Sequence, residues 1–205
     1  MFTLYKVWKR FWRRSDMELH PTLWRTCRVL AGPTRLNLLR LVVATPGHTV
    51  SRLAEEAGIG LSRASQELRR LQSRGLLRAT RTGSFVHYLP ESDPQVPDAK
   101  PLLLAMKTAF AQESPSMDES IVRIATALSH PRRILILREL RGGPRTFPML
   151  QAALHISFGA LFRHLQVLQA GHLVQRKDSG FCMARNAHPL ARCLVDLVKA
   201  PETPR

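Results

Sequence analysis

The phrase AGPTRLNLLRLV at residues 31–42 returns as SHPRRILILREL at 129–140, so that Arg35 is answered 98 residues later by Arg133. In each copy a proline precedes the arginine, and a leucine-rich run with a further arginine follows. A repeat of this length constrains the fold strongly, because both copies must build the same local unit. The 205 residues then divide into two small domains rather than one large one.

The flanks repeat as well. In the first half residues 23–30 read as a helix, Gly32-Pro33 breaks it, and Thr34 is placed to cap a second helix reaching about Val43. TPGHT (45–49) is a turn, after which Ser51 caps the short helix SRLAEEAG, its Glu residues in the first turns where the helix dipole favours them. Gly58-Ile59-Gly60 leads into LSRASQELRRLQSRG, where Ala64, Leu68 and Leu71 line one face and Gly75 ends the helix. LLRAT and SFVHYL alternate as strands around Arg81-Thr82-Gly83-Ser84.

The second half follows the same order through MDESIVRIATALS (117–129), HPRRILILREL, PMLQAALH, ISFGALFRHLQVLQAG, and the strands LVQRK and FCMAR around Asp178-Ser179-Gly180. Leu68, Leu71 and Gly83 recur as Leu165, Leu168 and Gly180 at a constant offset of 97. Further helices are expected at about 99–112 and 188–199, with ESDPQVPD (91–98) as a connection and AQESPS (111–116) as the hinge between domains. The expected fold class is mainly α with small β-hairpins.

Charge indicates the partner. Lys plus Arg number 31 against 15 Asp plus Glu, a formal +16, and without residues 1–16 the balance is still +12. Such a field draws polyanions, nucleic acid first and anionic lipid second. Arginine predominates, and its planar fork suits phosphates and guanine edges. A GC-rich codon bias is the competing reading of the arginine preference, but it does not explain the excess of positive over negative charge. Cys27, Cys182 and Cys193 lack CxxC spacing and read as reduced thiols of a cytosolic protein. No apolar run approaches the ~18 residues of a membrane span.

HPRRILILREL, followed by FRHLQVLQAGHLV and a Gly-tipped hairpin, resembles the ArsR-type winged-helix regulators, and GPTRLNLL, ASQELRRL and GLLRATRTGSFVHYL resemble them more loosely. The resemblance implies tandem winged helix-turn-helix domains in one chain, at 20–112 and 117–199, after a basic aromatic N-terminal arm at 1–19. It further implies that the terminal helices of the two halves pack together, as paired chains do in that family.

In a helix-turn-helix the second helix presents its outward side chains to the major groove. With Ala64, Leu68 and Leu71 turned inward, those are Leu61, Ser62, Arg63, Ser65, Gln66, Arg69 and Arg70, with Arg63 and Gln66 the best candidates for bidentate reading of guanine and adenine. Glu67 is placed either to read cytosine or to pair with Arg63 or Arg70. The hairpin residues Arg78, Arg81, Thr82 and Ser84 suit phosphate or minor-groove contact. The second half offers Arg163, His164, Gln166, Arg176 and Lys177, but departs from the pattern with Phe158 and Phe162. Two phenylalanines are poorly placed on such a surface in water, so they are expected to be buried against a partner, the arm or the other half; contact with thymine methyls is the competing reading.

The arm, MFTLYKVWKRFWRRSD, sets aromatics including Trp8 and Trp12 among basic residues at near-helical spacing. Docking on the protein or a partner, a membrane surface and nucleic acid all remain open for it; Met17 offers a second start. The family's metal-ligand patterns are missing, so neither a metal nor another cofactor is expected, and with no catalytic motif the chain reads as a non-enzyme. The leading expectation is a sequence-specific double-stranded DNA-binding transcriptional regulator acting as an intramolecular pseudo-dimer in the cytoplasm, on the nucleoid. The other is a winged-helix scaffold or accessory subunit of a nucleoprotein complex. A homodimer or protein partner through the arm or second domain fits either; a membrane partner is not favoured.

Overall fold

The structure is a computed structural model that describes residues 23–178 and 180–199. Among these residues it is mainly helical, with two separate antiparallel two-stranded hairpins. The first half runs α1 (Leu23–Leu30), α2 (Pro33–Ala44), α3 (Val50–Glu56), α4 (Leu61–Gln72), β1 (Arg78–Thr82), β2 (Phe85–Leu89) and α5 (Ala99–Gln112). The second half, after a 3₁₀ turn at Pro115–Met117, runs α6 (Asp118–Ala127), α7 (Pro131–Leu140), α8 (Phe147–Leu154), α9 (Phe158–Ala170), β3 (Val174–Lys177), β4 (Gly180–Met183) and α10 (Pro189–Lys199). No helix among the described residues is long and apolar enough to cross a membrane.

The repeated Pro-Arg phrase closes the helix before it. Pro33 and Pro131 open α2 and α7, where a fixed φ and a missing N–H cost nothing. The arginine just inside then folds back over the preceding helix end. Arg35 Nε donates to Val29 O at 2.6 Å and its Nη2 to Arg28 O at 3.3 Å. Arg133 Nε donates to Ala127 O at 2.8 Å, and its Nη2 to Thr126 O at 2.8 Å and Ser129 Oγ at 3.0 Å. A cation thus donates to the last carbonyls of the helix before it, at the negative end of its dipole.

Several boundaries move by one or two residues. Gly32, not Thr34, is the N-cap of α2, because Pro33 already supplies the first helical position. Thr49, not Ser51, caps α3; it holds the extended backbone that a cap requires and accepts from Arg52 N at 3.2 Å. With α3 beginning at Val50, Glu55 and Glu56 fall in its last turn, and Arg52 holds both there at 2.9 Å.

The offset of 97 is held by backbone conformation as well as by side chains. Gly58 and Gly75 have φ of +63° and +70°, and His155 and His172 repeat these left-handed corners at +50° and +53°. Gly75 is buried, and a Cβ there would lie 2.9 Å from that of Val96. In the hairpins the register slips. Gly83, at the tip of the first, corresponds in place to Asp178, both with positive φ, while Gly180 is already the first residue of β4. The match of Gly83 to Gly180 is therefore corrected: β3 and β4 are each one residue shorter than β1 and β2.

The halves join by pairing like with like: α1 packs on α6, and α5 on α10. Leu23, Cys27 and Leu30 of α1, Ile121, Ile124 and Ala125 of α6, Leu102 and Met106 of α5, and Leu190 and Leu194 of α10 belong to one continuous core. Equivalent elements of the two halves thus meet each other. Arg40 of α2 bonds to the connection between α5 and α6 and to its flanks. Arg40 Nη1 donates to Phe110 O at 3.3 Å and Glu113 O at 3.0 Å, Nη2 pairs with Asp118, and the guanidinium lies 4.3 Å from the Phe110 ring centre. Arg40→Ala removes all four contacts and is expected to lower stability by about 2 kcal/mol, read as a lower urea midpoint at unchanged slope.

Cys27 and Cys193 approach each other between α1 and α10. Burial, then the charge of Asp98, pushes the Cys27 thiol far up, and burial raises Cys193 to about 11. Neither thiol has the thiolate character of a reactive cysteine. Among the described residues no group of three or more His, Cys, Asp or Glu side chains is arranged to hold a metal ion.

Candidate nucleic-acid interface

Helix α3 packs on α4 through a tight turn, and Ala64, Leu68 and Leu71 commit the inner face of α4 to the core. The helical period then sorts its remaining residues into two adjacent lines. Ser62, Gln66, Arg69 and Ser73 form the outward line, and all four are exposed. Arg63, Glu67, Arg70 and Arg74 form the neighbouring line, turned towards α1 and the start of α2. Arg63 is exposed and donates to Thr34 Oγ1 at 3.2 Å, a single bond at the surface. Ser65 is half-buried, off both lines.

Glu67 does not face the groove side. It is 9% exposed, with Oε2 2.9 Å from Arg35 Nη1 and Oε1 2.8 Å from Arg70 Nη1. Burial alone would raise its pKa, but the bonds from Arg35 and Arg70 outweigh it and hold the carboxyl below its ordinary value. The open choice for Glu67 thus resolves to pairing, with Arg70 and, unexpectedly, Arg35. Arg70 is tied to the protein by the same contact.

The first hairpin, which packs on α2 and α3, presents Arg81, Thr82 and Ser84, all exposed around the Gly83 turn. Arg78 is exposed but paired with Glu91 at 2.9 Å, so it is partly neutralised rather than free for phosphate. Phe85, 60% exposed at the hairpin tip, is a surface residue that sequence reasoning missed. Strand alternation puts it on the face opposite buried Tyr88, which is the signal that finds it.

In the second half the outward line of α9 is Gly159, Arg163 and Gln166, with both polar residues exposed, and Arg176 and Lys177 are exposed on β3. His164 takes the place of Glu67 and leaves that line: its ring packs 4.8 Å from that of His130. Phe158 and Phe162 are 64% and 49% exposed, so the other half does not cover them; Phe158 rests on Phe147 at 4.7 Å, and Met149 is exposed on the neighbouring helix. The expected burial against the other half is corrected, because the like-with-like pairing leaves α8 and α9 outside the seam. Trp8 and Trp12 lie outside the described residues.

Burial, with positive charge from His130, Arg133, Arg132 and Arg163, pushes the His164 imidazole down to about 4. The unfolded chain takes up that proton near the ordinary ~6.5. A lowered histidine pKa contributes stability that is complete above about 6.5 and is lost as pH falls towards about 4. His164→Gln is expected to flatten the fall in urea midpoint across that window.

Neither family models nor curated proteins give a match to this chain.

Proposed function

We propose that the chain is a sequence-specific double-stranded DNA-binding protein, a transcriptional regulator of the ArsR-type class whose two halves act as an intramolecular pseudo-dimer. In this reading α3, α4 and the first hairpin form one winged helix-turn-helix, and α8, α9 and the second hairpin the other. The observation that carries it is the uncovered polar line Ser62, Gln66 and Arg69 on α4, flanked by Arg63 and by Arg81 of the hairpin, on a chain of net charge +16. Gln and Arg are the side chains that read adenine and guanine edges bidentately. The protein acts without an enzymatic step, on cytoplasmic, nucleoid DNA. Because α4 and α9 present different residues, the site is asymmetric, its two parts about one helical turn apart.

A salt titration tests the reading. Affinity for duplex DNA is expected to fall steeply, with a logarithmic slope of about −0.9 per phosphate neutralised. A flat titration contradicts it.

The exposure of Phe158, Phe162 and Met149 favours a second reading, a scaffold that holds a protein partner through the second half. Phe158→Ser with Phe162→Ser separates the two: a scaffold loses its partner and keeps its DNA affinity, whereas a second DNA reader loses affinity.

A further inference from the structure

The line of α4 turned towards α1 ends at a cavity whose lining the DNA reading above does not use. Trp24, Arg25 and Arg28 of α1, Arg35 of α2, Arg70 of α4 and Arg74 just beyond its end line a space of about 490 Å³, within the ~300–1,000 Å³ of small-molecule sites. Five guanidinium groups converge on it. The carboxylate among them is Glu67, both of whose oxygens are already engaged by Arg35 and Arg70. Among the described residues no carboxylate pairs with Arg25, Arg28 or Arg74, and Arg74 Nε is buried without a hydrogen-bond partner. Bringing like charges together this way is unfavourable unless a polyanion answers them.

The second half shows what this seam becomes without such a demand. Val122, Thr126, Val167 and Gly171 stand where the first half has Trp24, Arg28, Arg70 and Arg74. A Cβ on Gly171 would lie 2.4 Å from that of Ala127 and 3.1 Å from Arg123 O, so α6 lies directly on the end of α9. At the matching place in the first half Arg74 occupies that room, and α1 and α4 do not close together. Along the helix the residues that line the cavity follow a line turned off the outward one of Ser62, Gln66 and Arg69.

We propose that this cavity binds a nucleoside polyphosphate, its phosphates on Arg28, Arg70 and Arg74 and its base against the indole of Trp24. Arginine forks bind phosphate oxygens in pairs, and the half-buried indole, with the Arg25 guanidinium 5.2 Å from its ring centre on one side, is the aromatic surface of the lining. A bound phosphate competes with Glu67 for Arg70 and for Arg35, whose bond to Glu67 ties α4 to α2. Occupancy therefore changes how firmly α4 is held, and ligand and DNA must alter each other's affinity by the same factor. That last step rests on the DNA reading; ligand binding itself does not.

The test is calorimetric titration of the full chain, without DNA, with ATP, inorganic tripolyphosphate and adenosine at fixed ionic strength. One ATP per chain is expected, bound more tightly than tripolyphosphate, with adenosine far weaker. Arg28→Ala with Arg74→Ala should weaken ATP by about tenfold or more, the scale of one lost charge-assisted contact. The control Arg176→Ala with Lys177→Ala removes the same charge elsewhere and should leave ATP binding unchanged, and Trp24→Leu should abolish the preference for ATP over tripolyphosphate. Urea midpoints confirm that each variant folds; should the double arginine variant not fold, Arg28→Ala alone takes its place. Equal weakening in the control, or no preference for ATP over tripolyphosphate, overturns the proposal. So does duplex DNA binding that falls in the Arg28 and Arg74 variant while ATP does not bind, since the cavity would then serve the DNA backbone.

Discussion

Arg133→Met is expected to destabilise the protein by about 3 kcal/mol, the scale of buried hydrogen bonds from a charged donor. The side chain is 9% exposed and makes three hydrogen bonds at the end of α6. Methionine fills similar space but donates none of them, so Thr126 O and Ala127 O lose their guanidinium partner at the negative end of the helix. The helix concerned is α6, which packs on both α1 and α9, so the loss falls on the seam between halves and on the second half together. The check is a urea midpoint at unchanged slope, and a change below about 0.5 kcal/mol, the range of ordinary surface substitutions, contradicts the role. Arg35→Met removes the matching closure of α1 and leaves Glu67 with Arg70 alone, so its loss should grow more as pH rises through the carboxylate range.

The second large effect is on DNA. Gln66→Ala combined with Arg69→Ala is expected to reduce affinity for the cognate site by about a hundredfold or more, since each base contact is worth about 1–3 kcal/mol and separate contacts add. Both side chains are exposed with no described hydrogen-bond partner, so the fold and the urea midpoint should not change. Arg81→Ala at the hairpin should behave differently. A phosphate contact carries no sequence information, so specific and random duplexes should lose affinity alike and the salt slope should shrink by about 0.9. Equal losses on cognate and random DNA from the α4 pair would assign it to the backbone instead.

Much of the architecture was legible because apolar spacing carries it. Ala64, Leu68 and Leu71 marked the inner face of α4, and the same pattern at Leu161, Leu165 and Leu168 marked that of α9. Arg35 and Arg133 were visible as a recurrence, yet the recurrence does not say that the guanidinium turns backward; the carbonyls it meets are set by the helix in front. Cap positions shifted because Thr34, Thr49 and Ser51 are all chemically fit to cap, and only backbone conformation selects among them. The hairpin register failed for a related reason: a positive φ is met by Gly83 in one copy and Asp178 in the other, so matching glycine to glycine misled. Polar residues on α4 were recognised as outward, but the division into two lines depended on where α1 lies. Glu67, Arg70 and Arg74 could not be separated from Gln66 and Arg69 before α1 was placed. Of the covers expected for Phe158 and Phe162, the other half is removed, because the pairing of like helices leaves their face outside the seam; a partner and the arm remain expectations.

Selection of bound fragments from random duplex DNA, run in parallel for the wild type and for Arg63→Ala with Gln66→Ala, tests most directly whether α4 reads sequence. The wild type should enrich an asymmetric motif, and the variant should lose the base preferences in one part of it while still retaining DNA at low salt. Enrichment of no motif by the wild type, or the same motif from the variant, contradicts base reading by α4.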